Sequence, residues 1–197
     1  EAQKFYEQLY KYEKPDQRAL EDMCDYLRIK PLMNPQICEG AITEQEVLDV
    51  LVSLKVGKTC GSDGLSSEYY KSHAHEICPF LTAYYNAMHE QGFLPALMRD
   101  GNICILFKDK GERSHLKNYR PMTLLNTSLK ILTAIIAKRL AAVMCEVSDI
   151  DNTAAAPGRF ISDNTMLLQL IQAFLDDEDL PGVAIWFDME KCFDLVS

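Results

Sequence analysis

The chain has 197 residues, of which 48% are hydrophobic and 25% charged, a composition typical of a globular protein and not of a disordered tail. The most apolar stretch, 131–147, is interrupted by Lys138 and Arg139, and we find no signal segment, so we expect no association with a membrane. The formal net charge of -9 argues against a nucleic-acid partner unless positive charge is concentrated locally.

Positive charge is in fact concentrated in one region. Residues 105–140 contain eight Lys or Arg and two Asp or Glu, so this region carries +6 and the rest of the chain -15. This distribution predicts one basic patch on an acidic body. The patch is either a nucleic-acid-binding surface or a solvated surface loop.

The cysteine pattern contains no CxxC pair, since the seven cysteines are at least fourteen residues apart. Their odd number and wide spacing predict buried thiols in a reducing compartment. They are Cys24, Cys38, Cys60, Cys78, Cys104, Cys145 and Cys192.

The N-terminal part of the sequence predicts helices separated by loops. Residues 5–27 indicate two short helices broken at Pro15, and the proline-containing stretch 30–40 indicates a loop. Thr43 and Glu46 form a capping-box pattern at the start of a further helix. That helix is predicted to end near Gly57 and to place on one face Val47, Leu51 and Leu54.

Helices and a hairpin are predicted in the middle of the chain. The glycine-rich stretch 58–65 predicts a loop, after which 68–73 and 77–90 return to helical spacing and end at Gly92. Residues 103–107 predict a buried strand, followed by a basic loop over 108–117. An extended piece at 118–121 is expected to return as its hairpin partner. Helix 124–144 then carries an apolar stripe of Leu125, Leu129, Leu132, Ile136, Leu140 and Val143.

The C-terminal part predicts a turn, a helix and a central strand. Pro157 and Gly158 form the turn, and 163–174 the helix. After an acidic turn at 176–179, the apolar run 183–187 predicts a buried strand with Trp186 and Phe187 in the core. Asp188 would then stand at the carboxyl end of that strand, either as a helix N-cap or as a catalytic carboxylate.

Five short motifs occur along the chain, and together they resemble one protein family. They are KVGKTCGSDGL at 55–65, FKDKG at 107–111, NYRPMTLLN at 118–126, PGRFISDN at 157–164 and FDMEKCFD at 187–194. In this order and spacing they resemble the N-terminal extension motif, two fingers motifs, the pre-palm motif and palm motif A of LINE-type (non-LTR) retrotransposon reverse transcriptases. The resemblance covers roughly 42–196.

The resemblance implies an α+β fold in which mostly helical fingers with a small β-hairpin precede the first palm strand of an incomplete right-hand polymerase. The implied domains are an N-terminal helical extension at 1–41, the fingers and template-binding region at 42–180, and the start of the palm at 181–197. The first residue is Glu1 and not Met, so we expect a fragment of a longer chain.

The resemblance also implies an activity and its partners. A reverse transcriptase copies RNA into DNA from a primer 3′ end, so the expected partners are an RNA template, a DNA primer, deoxynucleoside triphosphates and the remainder of the same polyprotein. Mg²⁺ is the implied cofactor, since two such ions clamp the reacting oxygens in nucleotidyl transfer. We expect an intracellular location, in the nucleus or cytoplasm of a eukaryotic host.

Motif positions assign the residues expected at the nucleotide. Asp188 is the implied catalytic metal ligand, joined by the backbone carbonyl of Met189. Lys108 and Arg120 are the implied partners of the triphosphate, and the planar fork of Arg suits two phosphate oxygens. Phe193 is either the aromatic residue that excludes a 2′-hydroxyl or one more core aromatic.

Further residues are implied at the nucleic acid. The glycine-rich loop is expected to form a template-binding lid, although Asp63 could instead only stabilise the turn. The basic loop is expected to bind nucleic acid, and the Pro-Gly-Arg turn is expected to shape the template groove. The residues concerned are Lys58, Ser62, Asp63, Lys110, Lys117, Gly158 and Arg159.

The sequence departs from the family in two places. At 152–156 it has NTAAA where the family often has an amide and an aromatic residue before Pro-Gly-Arg. The string FLDD at 174–177 precedes the FDMEKCFD motif, and no aspartate pair with Tyr or Phe follows that motif in this sequence. A single Asp188 cannot hold two metal ions, so we expect the fragment alone to be inactive. The alternative function is a non-catalytic or degenerate nucleic-acid-binding remnant of such an element.

Overall fold

The computed structural model describes residues 1–11, 16–26, 35–149, 151–154 and 156–188. The chain divides into two compact units, a central unit Asn34–Val143 and a terminal unit formed by Glu1–Met33 with Met144–Ser197. Helices predominate, and the described strands form one two-stranded antiparallel sheet. This content confirms the predicted α+β class with a small hairpin.

Eight α-helices lie among the described residues, and none of them is long and apolar enough to cross a membrane. The two helices predicted over 5–27 are confirmed, whereas the predicted break at Pro15 and the loop residues 30–34 lie outside the described residues. The short helix α6 was not predicted. The helices are α1 (Ala2–Leu9), α2 (Gln17–Tyr26), α3 (Glu44–Ser53), α4 (Ser67–Ser72), α5 (Ala74–Gln91), α6 (Ala96–Arg99), α7 (Thr127–Val147) and α8 (Ile161–Asp177).

Helix boundaries in the central unit follow local signals. The Glu46 N–H donates to the Thr43 hydroxyl at 3.3 Å, and the Glu46 carboxylate accepts from the Thr43 N–H at 2.9 Å, which confirms the capping box of α3. Helix α5 ends at Gly92, whose φ of 68° is the left-handed conformation that favours glycine.

The core of the central unit joins α3, α4, α5, α6 and α7. Tyr85 is only 1% exposed, and its hydroxyl donates to the Ser128 carbonyl at 2.7 Å, so the buried polar group is satisfied. Each fully buried aliphatic side chain contributes roughly 1.5–3 kcal/mol. The core residues are Val47, Val50, Leu51, Tyr70, Ala74, Cys78, Leu81, Tyr85, Met88, Met98, Ile131, Leu132 and Ile135.

Helix α7 differs in two respects from its prediction. It begins at Thr127 and not at residue 124, because the preceding strand extends to Leu125. Its predicted stripe is confirmed at Leu132 and Val143, which are buried, and wrong at Ile136 and Leu140, which are 46% and 51% exposed. Ile131 and Ile135 are buried in their place.

The hairpin predicted from the sequence forms, with strands β1 (Gly101–Phe107) and β2 (Tyr119–Leu125) in antiparallel register. The prediction that 103–107 is buried was wrong. Phe107 is half-buried and the other residues of β1 are exposed. In the described part of the chain no third strand pairs with either strand, so the outer edge of each strand has no strand neighbour.

Arg139 is part of the basic stretch of the sequence, but its guanidinium is hydrogen-bonded to other groups of the central unit. Its guanidinium binds both carboxylate oxygens of Glu46, at 2.6 and 2.8 Å, and donates to the carbonyls of Gly40 and Ala41 at 2.9 Å each. The hydrogen bond from Arg139 is the main cause that lowers the pKa of Glu46 from 4.5 to about 2. This pair ties α7 to the N-terminus of α3.

In the terminal unit the predicted helix is confirmed and the predicted strand is absent from the described residues. Helix α8 confirms the helix predicted over 163–174 and is longer at both ends. The strand predicted over 183–187 is wrong: residues 181–188 have no regular structure, and Trp186 and Phe187 are 75% and 91% exposed instead of lying in the core. A strand needs a neighbouring strand for its backbone hydrogen bonds, and the described residues supply none here.

Six of the seven cysteines lie in the described residues, and all six are free thiols. Cys192 lies outside them. Among the six, only Cys78 is buried. The prediction of buried thiols was therefore wrong for Cys24, Cys104 and Cys145, which are exposed.

The Glu46 to Arg139 pair predicts an acid-dependent loss of stability. Because the folded-state pKa of Glu46 is depressed, its contribution is present above pH 4.5 and is lost as the pH falls toward 2. We expect Glu46→Gln to reduce the free energy of unfolding by about 1–3 kcal/mol at neutral pH, with the difference vanishing in acid. Urea unfolding followed by circular dichroism at several pH values measures this.

Glu44→Gln is the matched control, since exposed Glu44 lies in the same helical turn and forms no ion pair with a described residue. An equal loss of stability in Glu44→Gln, or a Glu46→Gln difference that stays constant down to pH 2, would contradict the assignment.

Candidate nucleic-acid and nucleotide interface

The hairpin brings Lys108 and Arg120 together. The Lys108 N–H donates to the Asn118 carbonyl at 2.8 Å, so the antiparallel pairing continues one residue beyond the pair of Phe107 and Tyr119. Arg120 pairs with Leu106 in the same register. Because side chains alternate along a strand, Lys108 and Arg120 lie on one face as diagonal neighbours, with Cα atoms roughly 7–8 Å apart. The two residues predicted for the triphosphate are thus adjacent.

The two cations differ in how freely they can move. Lys108 donates from its ammonium to the Lys117 carbonyl at 3.1 Å, which holds it against the connecting loop. Arg120 is exposed, and its guanidinium has no hydrogen bond or ion pair with any described residue. Arg120 therefore has its full set of donors available for a ligand.

The loop between the strands is held in one conformation by Asn118. The Asn118 side-chain amide donates to the Glu112 carbonyl at 2.7 Å. Gly111 has φ 81°, and a Cβ at this position would lie 2.6 Å from the Asn118 amide nitrogen. The Tyr119 hydroxyl also donates to the Arg113 carbonyl, at 3.0 Å. These contacts restrict the basic loop to one backbone conformation.

Aromatic rings support the positive charge at the hairpin tip. The Phe107 and Tyr119 rings lie 5.3 Å apart between centroids, and the Arg113 guanidinium carbon lies 5.0 Å from the Phe107 centroid, within cation–π range. Residues 108–120 hold five Lys or Arg and two carboxylates. Lys110 and Lys117 are exposed, and their ammonium groups have no partner among the described residues.

The glycine-rich loop is a tight turn closed by its own backbone. The Gly64 N–H donates to the Gly61 carbonyl at 3.3 Å, and the Leu65 N–H donates to the Asp63 carboxylate at 3.1 Å. The Ser62 hydroxyl and the Asp63 N–H both donate to the side-chain oxygen of Asn126, at 3.3 and 3.2 Å. Ser62 and Asp63 thus stabilise the turn in the structure.

Glu68 holds the start of the same loop. It accepts a hydrogen bond from the Gly57 N–H, and this bond is the main cause that lowers the pKa of Glu68. Lys58 follows directly, is exposed, and has no side-chain partner in the described part of the chain. Lys58 is the cation that this loop presents to solvent.

Asn126 was given no role by sequence reasoning. It is fully buried at the junction of β2 and α7, and besides its contacts with Ser62 and Asp63 it donates to the Leu97 carbonyl at 2.8 Å. Its position between the apolar pair Leu124 and Leu125 and a helix is typical of an N-cap, so the sequence signals a cap and not the contacts that the side chain makes.

The predicted residues of the terminal unit have mainly structural contacts. Arg159 is half-buried and donates to the carbonyls of Asp149 and Asn152, the latter at 2.8 Å. Gly158 has φ 75°, which fits the predicted turn after Pro157. These contacts fix the turn, and the predicted template contact of Gly158 and Arg159 remains a prediction.

The described residues do not complete a metal site. Asp188 is exposed at the end of the irregular segment 181–188, while Met189 and Phe193 lie outside the described residues. Within the described part of the chain, no three His, Cys, Asp or Glu side chains are placed to hold a metal ion. One carboxylate does not fit a two-metal centre.

A cavity of about 920 Å³ lies elsewhere in the central unit. It is mainly apolar, and none of the predicted site residues lines it. Among its lining residues are Ile42, Tyr85, Met88, Leu132, Ile135 and Arg139.

Comparison with known proteins relates the chain to proteins encoded by transposons. It is 30% identical over 196 residues to the transposon TX1 uncharacterized 149 kDa protein of Xenopus laevis, a match that covers the whole chain and 15% of that protein. It is 26% identical over 159 residues to a probable RNA-directed DNA polymerase from transposon BS of Drosophila melanogaster, covering 79% of the chain and 17% of the relative.

A third relative is the RNA-directed DNA polymerase from mobile element jockey of Drosophila melanogaster, 26% identical over 101 residues, with 51% of the chain and 11% of the relative covered. No protein-family model matches. The resemblance is confirmed: the chain is homologous to proteins of transposable elements, two of which are named as RNA-directed DNA polymerases. It spans less than a fifth of each of these relatives.

The contact between Gly111 and Asn118 predicts that the hairpin tip depends on glycine. We expect Gly111→Ala to raise the hydrogen-exchange rate of the Lys108 amide by about tenfold, because both the left-handed φ and the clash with Asn118 oppose the closed loop. NMR-detected exchange measures this rate. Gly92→Ala has a similar φ with open space at its Cβ, and unchanged Lys108 exchange is expected there. Equal rates in Gly111→Ala and the wild-type chain would show that Asn118 does not fix the loop.

Proposed function

We propose that this chain is the fingers region and the start of the palm of an RNA-directed DNA polymerase of a non-LTR transposon, which copies RNA into DNA from a primer 3′ end. The observation that carries the proposal is that Lys108 and Arg120 are diagonal neighbours on one face of an exposed hairpin, in a chain homologous to proteins named as such polymerases. Residues 42–180 would form the fingers, 181–197 the start of the palm, and 1–41 the extension before them.

The pair on the hairpin would bind the triphosphate of the incoming deoxynucleotide. Arg120 has a free planar fork that can bond two phosphate oxygens, and Lys108 adds a point charge on the same face. Their proximity matters because a triphosphate spans several charged oxygens. Neutralising it from one face leaves its other side open to the rest of the site.

Template and primer would lie along the rest of the basic surface and, in the absence of a nucleotide, would also reach Lys108 and Arg120. Lys110 and Lys117 in the hairpin loop and Lys58 in the glycine-rich loop are exposed cations without protein partners in the described residues. The amides of Asp63, Gly64 and Leu65 already donate within the central unit. A phosphate contact by the glycine-rich loop would therefore rest on Lys58, with Ser62 and Asp63 shaping the turn. Gly158 and Arg159 would shape the groove in the terminal unit.

The proposed contacts with the metal ions and with the sugar rest on the family resemblance alone. Reverse transcriptases use divalent metal ions, and we propose Mg²⁺ with Asp188 and the Met189 carbonyl as ligands. The remaining carboxylates would come from the remainder of the polyprotein. Phe193 would exclude the 2′-hydroxyl of a ribonucleotide.

Binding to an RNA–DNA duplex should be weak and sensitive to salt. Neutralising about three phosphates gives a slope of about -2.7 for the logarithm of the affinity against the logarithm of salt concentration. Lys108→Ala with Arg120→Ala should flatten the slope toward about -1. Fluorescence anisotropy with a labelled hybrid at several salt concentrations measures it.

Lys4→Ala with Arg18→Ala removes the same charge from α1 and α2 and should leave the slope near that of the wild-type chain. Salt-independent binding, or equal slopes in the two double variants, would remove the basis for placing the phosphates at the hairpin.

Primer extension by the purified 197-residue chain is expected to be absent, because no aspartate-pair motif follows Asp188 in its sequence and Asp188 alone cannot hold two metal ions. The assay supplies an annealed RNA template and DNA primer, deoxynucleotides and Mg²⁺ or Mn²⁺. Extension that is lost in Asp188→Ala would contradict this prediction and show that the chain completes a catalytic centre.

A further inference from the structure

Asn126 makes two kinds of contact that together join separate parts of the central unit. Its side-chain oxygen accepts from the Ser62 hydroxyl and the Asp63 N–H, while its side-chain nitrogen donates to the Leu97 carbonyl. Asn126 is 0% exposed, so these partners satisfy a buried amide. An amide supplies an acceptor and a donor in one group, which neither a carboxylate nor an aliphatic side chain does.

The fit between Asn126 and the glycine-rich loop is close. A Cβ on Gly61 would lie 2.1 Å from the side-chain oxygen of Asn126 and 2.5 and 2.6 Å from its backbone N and Cα. Backbone atoms cannot move away as a flexible side chain can, so only glycine permits this approach. Thr127 adds a second tie, since its hydroxyl donates to the Leu65 carbonyl at 2.9 Å.

Asn126 lies in the chain between strand β2 and helix α7. It follows the last residue of β2, the strand that carries Arg120, and its backbone carbonyl accepts from the N–H groups of Leu129 and Lys130 at the start of α7. An Asn here commonly uses its side chain to cap its own helix. In this chain the side-chain oxygen is instead bonded to the loop that carries Lys58.

We propose that Asn126 is a positioning residue that fixes the glycine-rich loop to the base of the hairpin, so that Lys58 binds the same nucleic acid as Lys108 and Arg120. This inference rests on the proposed nucleic-acid function. Asn126 itself does not touch the ligand. It determines where Lys58 stands relative to the hairpin, and without it Lys58 would be a mobile surface charge, which contributes little.

The test is a double-mutant cycle on the whole chain, with the dissociation constant for a short labelled RNA–DNA hybrid as the readout. Lys58→Ala should weaken binding about fivefold in the wild-type background, as expected for one solvent-exposed ionic contact. In the Asn126→Ala background the same change should matter less than about twofold. Lys108→Ala should retain its full effect in both backgrounds.

Asn86→Ala is the matched background. Asn86 also holds backbone groups with both ends of its amide, accepting from the Ile42 N–H at 2.7 Å and donating to the Ile42 carbonyl at 2.9 Å. It therefore loses comparable hydrogen bonds far from the loop along the sequence. Lys58→Ala should still cost about fivefold in this background. An equal Lys58→Ala effect in the Asn126→Ala and wild-type backgrounds would overturn the inference.

A second variant and a second readout keep the test decisive if Asn126→Ala folds poorly. Gly61→Ala forces the loop away from Asn126 from the loop side and should abolish the Lys58 effect in the same way. Hydrogen exchange of the Asp63 amide reports the contact without any ligand, and protection that persists in Asn126→Ala overturns the inference. A wild-type chain that binds no hybrid contradicts the proposed function, and amide exchange then decides separately whether Asn126 holds the loop.

Discussion

The hairpin that carries Lys108 and Arg120 depends on the helical core at its base, because an isolated two-stranded ribbon is at best marginally stable in water. Both of its ends lead into buried residues: Met98 precedes β1 at 2% exposed, and Asn126 and Thr127 follow β2 at 0% and 1%. The exposed part of the ribbon is therefore a projection from a fixed platform. A surface that must bind a polyanion and still hold its shape can be built this way, since the core supplies the stability that the charged ribbon lacks.

Arg139 shows why counting charge along the sequence overstates a basic patch. It lies in the region of excess positive charge, yet its donors are taken by Glu46 and by backbone carbonyls near the start of α3. What remains available is the hairpin, where Lys110, Lys117 and Arg120 have no charged partner among the described residues. Basic side chains thus serve both the internal ion pair and the exposed patch. Whether such a side chain is available to a ligand depends on whether protein acceptors lie within its reach.

Local signals predicted the parts of the fold that local physics determines. The capping box at Thr43 and the left-handed Gly92 specify helix ends through hydrogen bonds within a few residues, and both predictions are confirmed. The pairing of β1 with β2 needs only a return over a short loop. The proximity of Lys108 and Arg120 was predictable in the same measure, since it follows from that pairing, whereas their role at the nucleotide remains a prediction. Asn126 was not predictable, because its partners at Ser62, Asp63 and Leu97 are distant in sequence and nothing local marks a side chain that leaves its own helix for another loop.

The apolar run 183–187 shows that local sequence signals do not suffice to predict a strand. A continuous apolar run is typical of a central strand, which needs neighbouring strands for its backbone groups and cover for both of its faces. In the described residues neither is supplied, and Val183, Trp186 and Phe187 are largely exposed. The hairpin strand β1 meets the first requirement through β2 but not the second, and it forms although it is exposed. Backbone pairing, and not burial, is therefore what separates the strand that forms from the one that does not.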